Sequence, residues 1–185
     1  MNITQTLSEK EAGMKKLLMG GLVAVLVLCG GYAAHAIHDT MTDGSKIVDP
    51  GADASRLYTH ITRPTPYSKT WSLMPGEKKM QSSRDPHGSF VTCYVNDKAL
   101  KSLKKKSGMV NGSIIVSENY GPDKKLESLT VMYKIEGYNP QAGDWFWAKY
   151  GPNNGYVLAS GKVNECVDCH SSKKDNDYLH TASLK

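Results

Sequence analysis

Near its C-terminus the chain reads Cys166-Val167-Asp168-Cys169-His170, and no other stretch restricts its possible architectures as much. Two thiols separated by two residues, with an imidazole directly after the second, match the spacing at which a protein bonds covalently to haem. Each sulfur adds across one vinyl group of the porphyrin, and the adjoining histidine reaches the iron. The motif calls for one haem c held by Cys166 and Cys169, with His170 as axial metal ligand. Two other readings compete with it: a redox-active thiol pair, and half of a zinc site. Zinc would need two further Cys or His ligands at a second short spacing, and neither Cys93 nor the scattered His38, His60, His87 and His180 provides one.

Covalent haem attachment takes place outside the cytoplasm, so the N-terminus should carry an export signal. Met14 to Ala36 has that form: Lys15 and Lys16 are followed by an apolar run from Leu17 to Leu28, then by Ala34-His35-Ala36 as an A-x-A cleavage site. The expected organisation is a signal over 1–36, starting at Met1 or Met14, a polar linker over 37–50 and one haem-binding domain over 51–185. The expected location is periplasmic or otherwise exported. An uncleaved signal would leave a membrane anchor, although its apolar core is short for a spanning helix. Cys29 raises the possibility of a lipoprotein, but the residue before it is Leu28 rather than a small one.

The formal charge of the whole chain is +5, and removal of 1–36 lowers it by one unit. That mild excess suits docking on an acidic redox partner and is too diffuse for nucleic acid. With Cys29 removed and Cys166 and Cys169 given to haem, Cys93 has no thiol partner. It lies in the strand-like run Phe90 to Val95 and reads as a small buried hydrophobe.

Along the chain, Asp53 is placed to cap a short helix through Ala54, Leu57, Tyr58 and Ile61, and a second helical or irregular piece spans Ser68 to Met74. In Phe90–Val95, Val91, Cys93 and Val95 alternate with Phe90, Thr92 and Tyr94. Asn96 then caps a helix over Asp97 to Ser107, with Ala99, Leu100 and Leu103 inward and Lys98, Lys101, Lys104, Lys105 and Lys106 outward. The lysine face is a solvated surface or a docking site for an acidic partner. Further strands are predicted over Ser113–Asn119, Leu126–Glu136, Asp144–Tyr150 and Tyr156–Ala159, separated by Gly, Pro and Asn turns. Asp175 or Asn176 caps a last helix holding Tyr178, Leu179 and His180. The fold class is therefore α+β, a mostly antiparallel sheet with flanking helices.

Pro86-His87-Gly88, Tyr94-Val95-Asn96, Asn111-Gly112-Ser113-Ile114-Ile115-Val116, the aromatic run Gly143 to Tyr150 and Cys166 to His170, taken in this order, resemble the cytochrome P-460 family. The cytochromes c′-beta are its structural relatives. The resemblance implies an antiparallel β fold, often dimeric, with haem held on its proximal side by the motif histidine and a distal pocket for small nitrogen ligands. Enzymes of the family oxidise hydroxylamine, and nitric oxide binds in both branches. The lysine that cross-links to the porphyrin in the family falls at Ser117, and a pocket arginine falls at Val91. A pocket carboxylate falls at Glu136, which makes Glu136 the candidate proton acceptor, catalytic if the protein is a hydroxylamine-oxidising enzyme. Loss of both cationic groups points instead to electron transfer or to binding of small nitrogen oxides such as nitric oxide.

The distal axial position stays open at this level. Met132 is placed on the same strand face as Glu136, Met109 and His87 lie near family positions, and an open or water-occupied site is the family pattern.

Overall fold

A computed structural model describes residues 49–84 and 86–184. The expected signal, Cys29 and the linker up to residue 48 lie outside the described residues. At Asp49 and Pro50 the chain is already part of the domain, earlier than the boundary expected at 51. Pro50 is buried, and Asp49 Oδ1 accepts hydrogen bonds from the Tyr133 hydroxyl (2.5 Å) and Gly51 N (2.8 Å).

Helix α1 (Ala54–Thr62) begins where expected, with Asp53 Oδ1 accepting from Arg56 N at 2.8 Å. A single helical turn, α2 (Tyr67–Thr70), leads into the short strand β1 (Ser72–Leu73), and β2 (Gln81–Ser82) follows. The longer strands are β3 (Phe90–Val95), β4 (Ile114–Tyr120), β5 (Leu126–Lys134), β6 (Trp145–Tyr150) and β7 (Val157–Gly161). Helix α3 (Asp97–Lys105) lies between β3 and β4, and α4 (Asn164–His170) follows β7. β3 to β7 form an antiparallel meander, and both β1 and β2 pair with the outer edge of β3. This is the mostly antiparallel α+β architecture expected. Among the described residues, no helix is long and apolar enough to cross a membrane.

The inner strands are apolar on both faces because both faces are covered. Tyr94, Ile114, Val116, Leu129, Val131, Tyr133, Phe146, Ala148 and Tyr150 pack with Leu57 and Ile61 of α1. On the opposite face Val91, Cys93, Val95, Ile115, Met132, Trp145 and Trp147 meet Ala99 and Leu103 of α3 and the C-terminal residues Tyr178, Leu179 and Leu184. In β3 the alternation read from the sequence, Val91, Cys93 and Val95 against Phe90, Thr92 and Tyr94, matches the observed faces.

Two helical expectations need correction. α3 ends at Lys105, because Lys106 takes the left-handed conformation (φ 52°) and its N–H bonds back to Leu103 and Ser102 carbonyls. The last predicted helix is absent. A 3-10 segment over Ser171–Asn176 stops at Asp177 and Tyr178, whose φ values of 52° and 65° turn the chain. Asn176 Nδ2 donates to the carbonyls of Leu179 and Ala182, both at 2.8 Å, in place of the helical ladder.

Asn96 joins α3 to the sheet. Its Oδ1 accepts from Ala99 N (3.0 Å) and Ile114 N (3.1 Å), and its Nδ2 donates to the Gly112 carbonyl at 2.8 Å. Asn96→Ala should therefore lower the free energy of unfolding by about 2 kcal/mol, more than an isolated cap, because it also orphans groups at the start of β4. Denaturant titration checks this, and a loss below about 0.5 kcal/mol would contradict it.

Candidate haem site

α4 brings the whole motif together. Cys166, Cys169 and His170 stand three and four residues apart on a helix, so they share one face. Cys166 and Val167 pack at the edge of the core, and Cys169 is exposed. The Nδ1 of His170 lies 2.7 Å from the Tyr178 carbonyl. A carbonyl only accepts, so Nδ1 carries the proton and Nε2 keeps its lone pair. Burial pulls the imidazole pKa down to about 4 against the opposing effect of that hydrogen bond, so the ring is neutral at ordinary pH. The ring stands edge-on to Trp147 at 4.7 Å and to His180 at 4.9 Å, centre to centre.

The carbonyl that orients His170 is itself fixed through Asp177. Asp177 Oδ1 accepts from Lys134 Nζ (2.6 Å), its Oδ2 accepts from Met109 N (2.6 Å), and its carbonyl accepts from Trp145 Nε1 (3.1 Å). The two charged side chains are 14% and 15% exposed. Lys134 also donates to the Gly143 carbonyl at 2.7 Å and lies over the Trp145 ring. Its amine is fully engaged at the end of β5.

In front of α4 lies a cavity of about 910 Å³, near the upper end of what small-molecule and cofactor sites occupy. Its floor is the sheet face carrying Val91, Cys93, Ile115, Ser117, Thr130, Met132 and Trp147, with Met74 and Leu179 at its sides. Cys166, Cys169 and His170 line it together with His87 and His180. Arg84 and Lys149 add positive charge to the lining, and the buried indole N–H of Trp147 has no hydrogen-bond partner. A large apolar plate with anionic carboxylates at its edge would fill the apolar space, meet the two cations and offer acceptors for that orphan donor. Haem has these features, so the residues fit it. Among the described residues, no three or more His, Cys, Asp or Glu side chains converge as a bare metal site requires.

The family model for cytochrome P-460 matches residues 64–181, from just after α1 to beyond the 3-10 segment that follows α4. The chain belongs to the cytochrome P-460 family. It is accordingly a haem-binding cytochrome. No curated protein matches it.

Of the residues expected to form the distal pocket, Val91, Ser117 and Met132 line the cavity. Ser117 Oγ is 3.2 Å from Cys93 Sγ, and burial pushes the Cys93 thiol up to about 12, so the thiol stays protonated and inert. Met109 is buried beside Asp177, away from the cavity lining. Glu136 requires a correction. β5 ends at Lys134, Gly137 turns the chain with φ 76°, and Glu136 is exposed on that turn and does not line the cavity. It has no place as proton acceptor for a cavity ligand. One carboxylate residue, Glu165, lines the cavity itself, and Glu77 stands behind its wall against Cys93, Gln81 and Thr181, with one oxygen buried and unpartnered. Desolvation raises its pKa above the usual carboxylate range. No sequence signal marks Glu77, because its burial comes from residues distant in the chain.

Lys134→Met should destabilise the domain by about 3 kcal/mol, because it leaves the Asp177 carboxylate nearly buried without its counter-charge. Unfolding of the variant against denaturant measures the loss, and stability equal to the parent would contradict the clamp.

Proposed function

We propose that this cytochrome is an exported single-haem c-type protein that transfers electrons and binds small nitrogen oxides, nitric oxide first among them, at its haem iron. The observation that carries the reading is the juxtaposition, at one cavity, of Cys166, Cys169 and a neutral, oriented His170 with a largely apolar sheet face. In this reading the two thiols hold the haem covalently and His170 is its proximal ligand. The haem supplies reversible one-electron chemistry and a metal to which small diatomic ligands bind. The protein fixes the imidazole, excludes water with Val91, Ile115, Met132 and Leu179, and leaves Cys93 and Ser117 satisfied by each other.

Oxidation of hydroxylamine is the weaker alternative. The carboxylate expected to take protons from the bound nitrogen, Glu136, is on the outside of the molecule, and Glu77 stands behind the cavity wall rather than in its lining. Ser117 has no amine with which to modify the porphyrin.

For partners, the reading assigns the α3 surface to an acidic redox protein. Lys101, Lys104, Lys105 and Lys106 are exposed there, and among the described residues none of them forms an ion pair. Export follows from the chemistry of attachment and from the signal-like Met14 to Ala36.

Purified after expression with cytochrome c maturation, the protein should take up and release one electron per chain reversibly. Its reduced absorption spectrum should shift on adding nitric oxide, and hydroxylamine offered with an electron acceptor should not be consumed. Catalytic loss of hydroxylamine would overturn the assignment, as would a reduced spectrum indifferent to nitric oxide.

A further inference from the structure

We infer that His87 is the second axial ligand of the haem iron, on the face opposite His170, and that an incoming small ligand must displace it. The inference rests on the haem reading above and deepens it by stating what occupies the distal position.

His87 enters the cavity from the loop before β3 and is half-buried there. Its hydrogen bonds run through Nδ1, which is 3.3 Å from Asn119 Oδ1 on β4 and 3.3 Å from Thr130 Oγ1 on β5. Asn119 is itself fixed, its Nδ2 donating to Ser128 Oγ (3.1 Å) and Thr130 Oγ1 (3.2 Å). That amide orientation turns its oxygen towards His87, so Nδ1 bears the proton and Nε2, on the far edge of the ring, keeps its lone pair. His170 is built in the same way, with Nδ1 donating to a fixed oxygen and Nε2 left over. An outside acceptor on one ring nitrogen is the usual support for an imidazole that ligates metal through the other.

The spacing agrees. The ring centres of His87 and His170 are 6.3 Å apart, with planes at 82°. An imidazole nitrogen sits roughly 2 Å from the metal it ligates, which puts two rings on one metal about 6 Å apart, centre to centre, at any angle between their planes.

The other candidates fit less well. Met132 pairs with Trp147 in the sheet, so it belongs to the cavity floor, beside the ring on which His170 rests. His180 is exposed, comes from the same C-terminal segment as His170, and directs its Nε2 to the Cys169 carbonyl at 3.4 Å. Of these candidates, His87 alone comes from a separate segment, the loop before β3, with an anchored Nδ1.

The test is electron paramagnetic resonance of the oxidised holoprotein, together with nitric oxide binding to the reduced form followed by stopped flow. The native protein should give a low-spin signal, and its binding rate should level off as nitric oxide concentration rises, because loss of His87 becomes limiting. His87→Gly should convert the signal to high spin, and added imidazole should restore low spin. Binding in that variant should become proportional to nitric oxide concentration and at least tenfold faster at high concentration. His60→Ala, on α1 and outside the cavity lining, should leave both readouts as in the parent. A high-spin native signal overturns the inference, and so does a low-spin signal that survives in His87→Gly. If that variant fails to accumulate, the spin state and the saturation of the native protein decide by themselves. Haem that resists acid-acetone extraction tests the underlying haem reading separately, since it does not depend on His87.

Discussion

Asp177 binds three partners from three separate parts of the chain: the Lys134 amine at the end of β5, the Met109 amide after α3 and the Trp145 indole at the start of β6. A left-handed residue is costly for anything but glycine, asparagine or aspartate, and these bonds hold it in place. Because Asp177 is fixed, the next carbonyl, that of Tyr178, is fixed too, and the proximal imidazole takes its tautomer and direction from that oxygen. A short polar contact at the rim of the sheet thus orients a ring in the cavity. The ion pair need not add net stability relative to an apolar pair. Its contribution is directional, because it sets one geometry for the C-terminal segment.

The two faces of the sheet divide the remaining work. One is closed by α1 with tightly packed aromatic and aliphatic side chains, including Tyr150, whose hydroxyl donates to the Ala54 carbonyl at 2.8 Å. The other is closed only in part, by α3 and the segment after α4, and the remainder is the cavity. The polar groups on that face are satisfied in pairs, Cys93 with Ser117 and Asn119 with Thr130 and Ser128, so the floor presents few free hydrogen-bonding atoms. Among the described residues the exceptions are the Trp147 indole N–H within the cavity, one Glu77 oxygen behind it and the Ser113 hydroxyl just before β4.

The inner strands β3 to β6 are legible because they are apolar on both faces, the pattern that burial on two sides imposes. The same rule failed at Glu136. The alternation runs on in the sequence two residues past Lys134, but β5 stops there and the turn at Gly137 carries the Glu136 side chain into solvent. β1 and β2 have two residues each, too few to show a period, and they form because β3 offers a free edge. The final helix is absent because Asn176, one of the two expected caps, bonds the Leu179 and Ala182 carbonyls and Leu184 N instead, while Asp177 and Tyr178 turn the chain. The covalent motif was legible because its spacing is local. The cavity histidine at 87 and the buried carboxylate at 77 gain their surroundings only when distant strands and the C-terminal segment come together.

The proposed chemistry of the site depends above all on haem bonded to Cys166 and Cys169. The most direct test is the intact mass of the purified protein in denaturing solvent, followed by mapping of the peptide that contains Cys166 to His170. The predicted result is a chain heavier by one haem, with the added mass on that peptide. A chain of unmodified mass with two free thiols in the motif would contradict it.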